Sequence, residues 1–206
     1  MASDAAALSY LALGDSYTIG ESVPPESRWP VQLARALRDE GVALDDPRII
    51  ANTGWTTDEL EWGMDSAEPL GHFDFVSLLV GVNNQYRNRS AVGYRGEFHT
   101  LLKRAITCAN GRADRVIVLS IPDWSVTPFA RDDKRDAATI AAEIDEFNAA
   151  ARSVCEAEGV AFVDITPCSR EHGATLLAAD GLHPSAQMYT LWTQQVLPVA
   201  QAQLSR

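Results

Sequence analysis

Two short strings, far apart in the chain, hold residue types that can do covalent chemistry together. Gly14-Asp15-Ser16 follows directly on the apolar run Leu8–Leu13, and Asp180-Gly181-Leu182-His183-Pro184 stands near the far end. A serine hydroxyl is a poor nucleophile at neutral pH until an imidazole takes its proton. The imidazole works best when a carboxylate fixes its tautomer. Asp180 and His183 are three positions apart, so a single turn of chain brings the carboxylate to the ring. The candidates are thus a nucleophile, Ser16, a base, His183, and an acid that orients it, Asp180.

Attack by Ser16 Oγ on a carbonyl would create a tetrahedral oxyanion, which needs donors aimed at the developing charge. Two further strings offer them. In Asn52-Thr53-Gly54-Trp55 the glycine lets a backbone N–H approach closely, and in Gly81-Val82-Asn83-Asn84-Gln85 the Asn83 carboxamide is a donor. The Ser16 amide is the third candidate.

These residues need a scaffold to gather them. Short apolar runs at Leu8–Leu13, Arg48–Ala51, Phe73–Val80, Arg115–Ser120 and Val160–Ile165 read as strands. Segments of helical period lie between them. Phe98, Leu101, Leu102, Ala105, Ile106 and Ala109 mark one face, and Ile140, Ile144, Phe147, Ala151 and Val154 another. Trp29–Arg38 and Thr57–Met64 read as shorter helices, and a last helix runs from Pro184, placed in its first turn, to about Gln203. Continuous rather than alternating apolar strands, separated by helices, predict a parallel sheet covered on both faces. The expected fold is a three-layer α/β/α sandwich with five strands in the flavodoxin-like order 2-1-3-4-5, one domain spanning residues 1–206. Ligands of such sheets bind beyond the carboxyl ends of the strands. Ser16 follows strand one, Gly54 strand two and Asn83 strand three, and Asp180 and His183 lie beyond strand five. The order predicts one shared edge.

Gly-Asp-Ser, then Gly, then Gly-x-Asn, then Asp-x-x-His-Pro resembles the SGNH, or GDSL-type, hydrolase family, from Gly14 to Pro184. The resemblance implies Ser16 as nucleophile, Asp180 and His183 as orienter and base, and Ser16, Gly54 and Asn83 as the oxyanion hole. It also implies the same sandwich and an esterase, lipase, or carbohydrate- or thioester-hydrolase activity. Two positions depart from the pattern: Tyr17 stands where Leu is usual, and Asn84 where the third block usually has Asp. The Gly-x-Ser-x-Gly elbow of α/β-hydrolases is absent around Ser16.

Other residues have plainer readings. His72, His99 and His172 read as surface or packing residues, the last in a loop with Glu171. Trp55 and Trp124 are candidates for lining the substrate pocket, while Trp192 belongs to the core of the last helix. Asp15 reads as a loop-fixing residue, and Asp164 and Asp123 are reserve candidates for the acid. Arg131–Asp136 reads as a solvated connection before a helix, with a mobile rim of the site as the alternative. Cys108, Cys155 and Cys168 form no CxxC pair and suit a reducing compartment. The chain has 17 Lys and Arg against 28 Asp and Glu, a net charge of −11, which argues against nucleic-acid and anionic-membrane partners. No signal-peptide pattern opens the sequence, and no apolar run is long enough for a membrane anchor, so the expected setting is cytoplasmic.

Together these point to an ester hydrolase of small acyl or acetylated substrates that works through an acyl-serine, without metal or organic cofactor. An acyltransferase or thioesterase would use the same triad. A binding module would keep the pocket without turnover, and a metal-dependent phosphodiesterase finds no ligand spacing. The alcohol, the acyl length and the oligomeric state are not written in these motifs.

Overall fold

The computed structural model describes residues 7–205. Five parallel strands form one sheet: β1 (Tyr10–Gly14), β2 (Arg48–Ala51), β3 (Phe75–Leu79), β4 (Val116–Leu119) and β5 (Ala161–Val163). Their order is β2-β1-β3-β4-β5, as the sequence predicts. Gly14, at the end of β1, pairs with Ala51 of β2 and Leu79 of β3, so three strands finish level. Every residue of β1, β3 and β4 is buried, which requires cover on both faces of the sheet.

The cover is helical. The long helices are α2 (Trp29–Asp39), α3 (Thr57–Ser66), α5 (Ala91–Cys108), α6 (Ala137–Glu158) and α8 (Ala186–Leu204). Shorter ones are α1 (Ser16–Ile19), α4 (Val82–Tyr86) and α7 (Thr166–His172). Helix α2 packs on α8, and α5 packs on α6 and α3. Trp29 and Trp192, both fully buried, fill the core beneath α2 and α8.

The helix starts are set by polar side chains. Thr56 and Glu59 form a reciprocal capping box on α3, Ser90 Oγ accepts from the Gly93 amide, and Asp136 accepts from Thr139. Helix α5 begins well before its apolar stripe because Ser90 caps it there, and only Tyr94 of that first turn is buried. Pro184 stands outside α8 rather than in its first turn: Ser185 is the cap, accepting from the Met188 amide at 3.3 Å. Helix α7 breaks the predicted loop, and His172 ends it. Helices α1, α4 and α7 are four to seven residues long, too short for a helical period to show in sequence.

Candidate active site

The level strand ends open into a cavity of about 140 Å³, lined on its polar side by Ser16, Gly54, Asn83 and His183. Ser16 is the first residue of α1. Asp15 caps that turn by accepting from the Tyr17 amide at 3.0 Å. This is the loop-fixing part read from the sequence. Asp15 is fully buried, however, and its Oδ2 finds no partner. Burial pushes its carboxyl up to about 7, against the lowering effect of the Tyr17 amide.

Asp180 and His183 form the pair their spacing predicts. His183 Nδ1 lies 2.7 Å from Asp180 Oδ2. The other oxygen, Oδ1, accepts from the amides of Leu182 at 3.0 Å and His183 at 2.9 Å. Ser22 Oγ donates to Oδ2 at 2.7 Å. Burial raises the Asp180 pKa, but these hydrogen bonds outweigh it and hold the carboxyl well below the usual carboxylate range. An ionised carboxylate only accepts, so the ring carries its hydrogen on Nδ1 and leaves Nε2 as the basic nitrogen. Tyr17 packs edge-on against the imidazole, ring centroids 5.8 Å apart. That contact gives Tyr17 a use at the position where leucine is usual. Ser16 and His183 share the cavity without a hydrogen bond between them, a contact that in such sites often tightens only with substrate.

Gly54 has φ +83°, and a Cβ there would meet only Arg87 Nη2 at 3.9 Å, so backbone conformation rather than space demands the glycine. Asn83 is the second residue of α4, beside the cavity. Its Nδ2 donates to the Trp55 carbonyl at 2.9 Å, which fixes the carboxamide and leaves its second hydrogen for another acceptor. Asn84 turns away. Its Oδ1 accepts from the Thr57 amide at 3.1 Å, and its Nδ2 donates to Thr57 Oγ1 at 2.6 Å and Glu97 Oε2 at 3.0 Å. An aspartate there could not donate to Glu97, which accounts for Asn84 in this chain.

The apolar side of the cavity comes from Tyr17, Val82, Tyr86, Trp124, Phe129 and Leu182. Trp124 lies there as the sequence proposes. Trp55 does not: its ring packs over Gly63 of α3, where a Cβ would meet it at 2.3 Å, and only its carbonyl serves the site. Trp124 Nε1 donates to Gln85 Oε1 at 2.9 Å. Arg135 corrects another reading, because it is not solvated. Its side chain is 16% exposed, bonds Asp133 and Glu143, and lies 5.6 Å from the centroid of Trp124 and 6.0 Å from that of Tyr86.

The remaining candidates fall outside. His99 bonds Glu158 on the surface, and His72 is exposed ahead of β3. Asp164 is engaged by Arg152 and Ser120, and Asp123 by Arg170. The three cysteines are buried and free. Among the described residues no cluster suits a metal ion, and no helix is long and apolar enough to cross a membrane. Sequence reasoning missed Ser22, Tyr86 and Phe129, and it offered Arg135 only as part of a mobile rim. A positive-φ serine leaves no signal in sequence, Tyr86 closes the five-residue α4, and Phe129 sits in a short turn without period.

Residues 12–191 match the GDSL-like lipase/acylhydrolase family. The chain belongs to that family. It is thus a GDSL-type hydrolase, and the sandwich, the sheet order and the sequence resemblance agree with it. Solved structures of the fold include a lipase/acylhydrolase from Enterococcus faecalis, 21% identical, TM-score 0.71, covering 95% of this chain and 96% of that one. The psychrotrophic esterase EstA from Pseudoalteromonas sp. is 14% identical, TM-score 0.72, with 96% and 99% covered. The acetylxylan esterase Axe2 from Geobacillus stearothermophilus is 18% identical, TM-score 0.69, with 94% of each chain covered. At such identities the likeness speaks for fold alone. No curated protein matches the chain.

Proposed function

We propose that this GDSL-type hydrolase is a serine esterase that cleaves carboxylic esters of small acyl groups through an acyl-serine intermediate. The observation that carries the reading is the 2.7 Å Asp180–His183 pair, whose ring lines the same cavity as Ser16, Gly54 and Asn83. His183 Nε2 takes the proton of Ser16 as Oγ attacks the acyl carbon, then gives it to the departing alcohol. Water attacks the acyl-serine in turn, His183 takes its proton, and Ser16 is released with that proton. Asp180 stays ionised throughout and fixes the ring. The amides of Ser16 and Gly54 and the second N–H of Asn83 are the oxyanion donors.

The acyl preference rests on the cavity. At about 140 Å³ with aromatic walls it is smaller than the roughly 300–1,000 Å³ of common ligand pockets, which favours acetyl to butyryl groups. We also infer a cytoplasmic setting, supported by three buried, unpaired cysteines.

A fluorophosphonate probe and a series of p-nitrophenyl esters test the reading. Ser16→Ala should lose labelling and essentially all turnover while keeping its fold. More than a few per cent of residual activity would remove Ser16 from the mechanism. For the intact protein kcat/KM should fall beyond butyrate and should rise with pH through one ionisation, because the base must be neutral to act. A preference for octanoate would overturn the acyl assignment.

A further inference from the structure

We propose that Ser22 is a positioning residue of the acid–base pair, its hydroxyl fixing the Asp180 oxygen that holds the His183 ring. The proposal rests on the reading of Asp180 and His183 as that pair. Ser22 Oγ donates to Asp180 Oδ2 at 2.7 Å, and the same oxygen accepts from His183 Nδ1 at 2.7 Å. Oδ1 is taken by two amides of its own turn. Among the described residues Ser22 is therefore the one donor to this carboxylate from outside residues 180–183, 158 positions away in sequence. It ties the turn of the acid to the segment of the nucleophile, since Gly20, two residues earlier, ends the helix that begins at Ser16.

The backbone gives a second, independent reason. Ser22 has φ +64°, in the left-handed region that L side chains rarely adopt. Among the described residues the other non-glycine residues with positive φ are Asn88 and Asn110, a type that tolerates the region. Ser22 is exposed, so no core packing calls for its side chain. Glycine would fit the backbone better, and what serine adds is the hydroxyl.

Removing that donor concentrates the negative charge of Asp180 on the hydrogen bond to His183. The imidazole then holds its proton more tightly, and the neutral ring needed to activate Ser16 forms only at higher pH. Other ionisable groups near the pair do not change with the substitution. Tyr17 packs on the ring, with its phenol pushed far up by burial and by the nearby Asp15, Asp123 and Asp180 charges. Glu21 bonds Thr53, and Asp123 is engaged by Arg170.

The test compares Ser22→Ala and Ser22→Gly with the intact chain on p-nitrophenyl acetate from pH 5 to 9, with thermal melts. A charge-assisted hydrogen bond of this kind sets an expected loss of about tenfold in kcat with KM little changed. The rise of kcat/KM should move to higher pH in both variants. Ser22→Gly should melt no lower than the parent because glycine relieves the backbone, and it carries the test if Ser22→Ala fails to fold. Wild-type kcat with an unmoved profile in Ser22→Gly overturns the proposal, as does a rate loss with an unmoved profile. Asp180→Asn, measured alongside, separates the two readings. If it is crippled while Ser22→Gly is silent, only the role of Ser22 falls; if it behaves as wild type, the acid–base pair falls as well.

Discussion

The two halves of this pocket are held in place by different means. The polar half stands on turns: Ser22, Gly54, Gly81 and Gly181 all have positive φ, and hydrogen bonds of 2.7–3.0 Å fix Asp180. The apolar half is held by long-range packing and by Arg135, which joins Asp133 and Glu143 while lying against Trp124 and Tyr86. Polar atoms fare differently as well. Trp124 Nε1 and the Arg135 guanidinium are bonded, whereas Asp15 Oδ2 and Thr18 Oγ1, on either side of Ser16, are buried without partners. The polar groups stand on turns tied together by a few long-range hydrogen bonds, at some cost in stability, and the aromatic wall is positioned by packing from across the fold.

The largest expected effect lies in the polar half. In Asp180→Asn the two amides that bond Oδ1 should hold the carboxamide oxygen, which presents its NH2 to the His183 ring. The ring must then carry its hydrogen on Nε2, the wrong tautomer for taking a proton from Ser16. A fall in kcat of about 10⁴ is expected, as for the same change in a serine triad. Wild-type kinetics in this variant would mean that the turn does not position the acid.

The neighbouring asparagines sharpen the comparison. Asn83→Ala should lower kcat by about 10²–10³-fold with little change in KM, the effect of losing one oxyanion donor. Asn84→Ala should act on the fold instead, because Thr57 and Glu97 lose their buried partner. About 1–3 kcal/mol of stability is at stake for such unpaired groups, seen as a lower denaturant midpoint. Reversed outcomes, with Asn84→Ala crippling the rate and Asn83→Ala only the stability, would place the oxyanion donor one residue on.

The same contrast explains what could be read in the sequence. Ser16, Gly54, Asn83, Asp180 and His183 were legible because each follows a strand or closes a single turn, so a few adjacent letters carry the geometry. The sheet order was legible because β1 to β5 are continuous apolar runs between helical segments. Tyr86, Phe129 and Arg135 were not, since they meet only after α4, the turn at residues 128–132 and the start of α6 have packed together. Arg135 was hidden further by its charged neighbours, which look solvated in one dimension. Trp55 was misread because adjacency to Gly54 does not say which way a ring turns, and Gly63 makes room for it on α3.

In the apolar half a smaller effect is expected, on selectivity rather than on chemistry. Trp124, Tyr17 and Leu182 line both the cavity at Ser16 and a second cavity of about 20 Å³. Trp124 is thus part of the partition between them. Trp124→Ala should join the two spaces and raise the ratio of octanoate to acetate kcat/KM by about tenfold, a shift within the range that one pocket contact commands. An unchanged ratio would mean that the acyl chain lies elsewhere in the cavity.

The smallest effect on catalysis, and the most direct measure of what the polar half gives up in stability, belongs to Asp15. Its folded pKa of about 7 is above the roughly 4 of an unfolded aspartate, and burial is the cause. The sign follows from linkage: the stability tied to the neutral acid is fully present below about pH 4 and is lost as pH rises through 7. Asp15→Asn keeps an acceptor for the Tyr17 amide and cannot ionise. The wild-type melting temperature should therefore fall relative to that of Asp15→Asn between pH 4 and 7, with the difference level above that range. Parallel melting curves across the range would show that the buried carboxyl imposes no such penalty, and that the turn at Ser16 is held as comfortably as the aromatic wall opposite it.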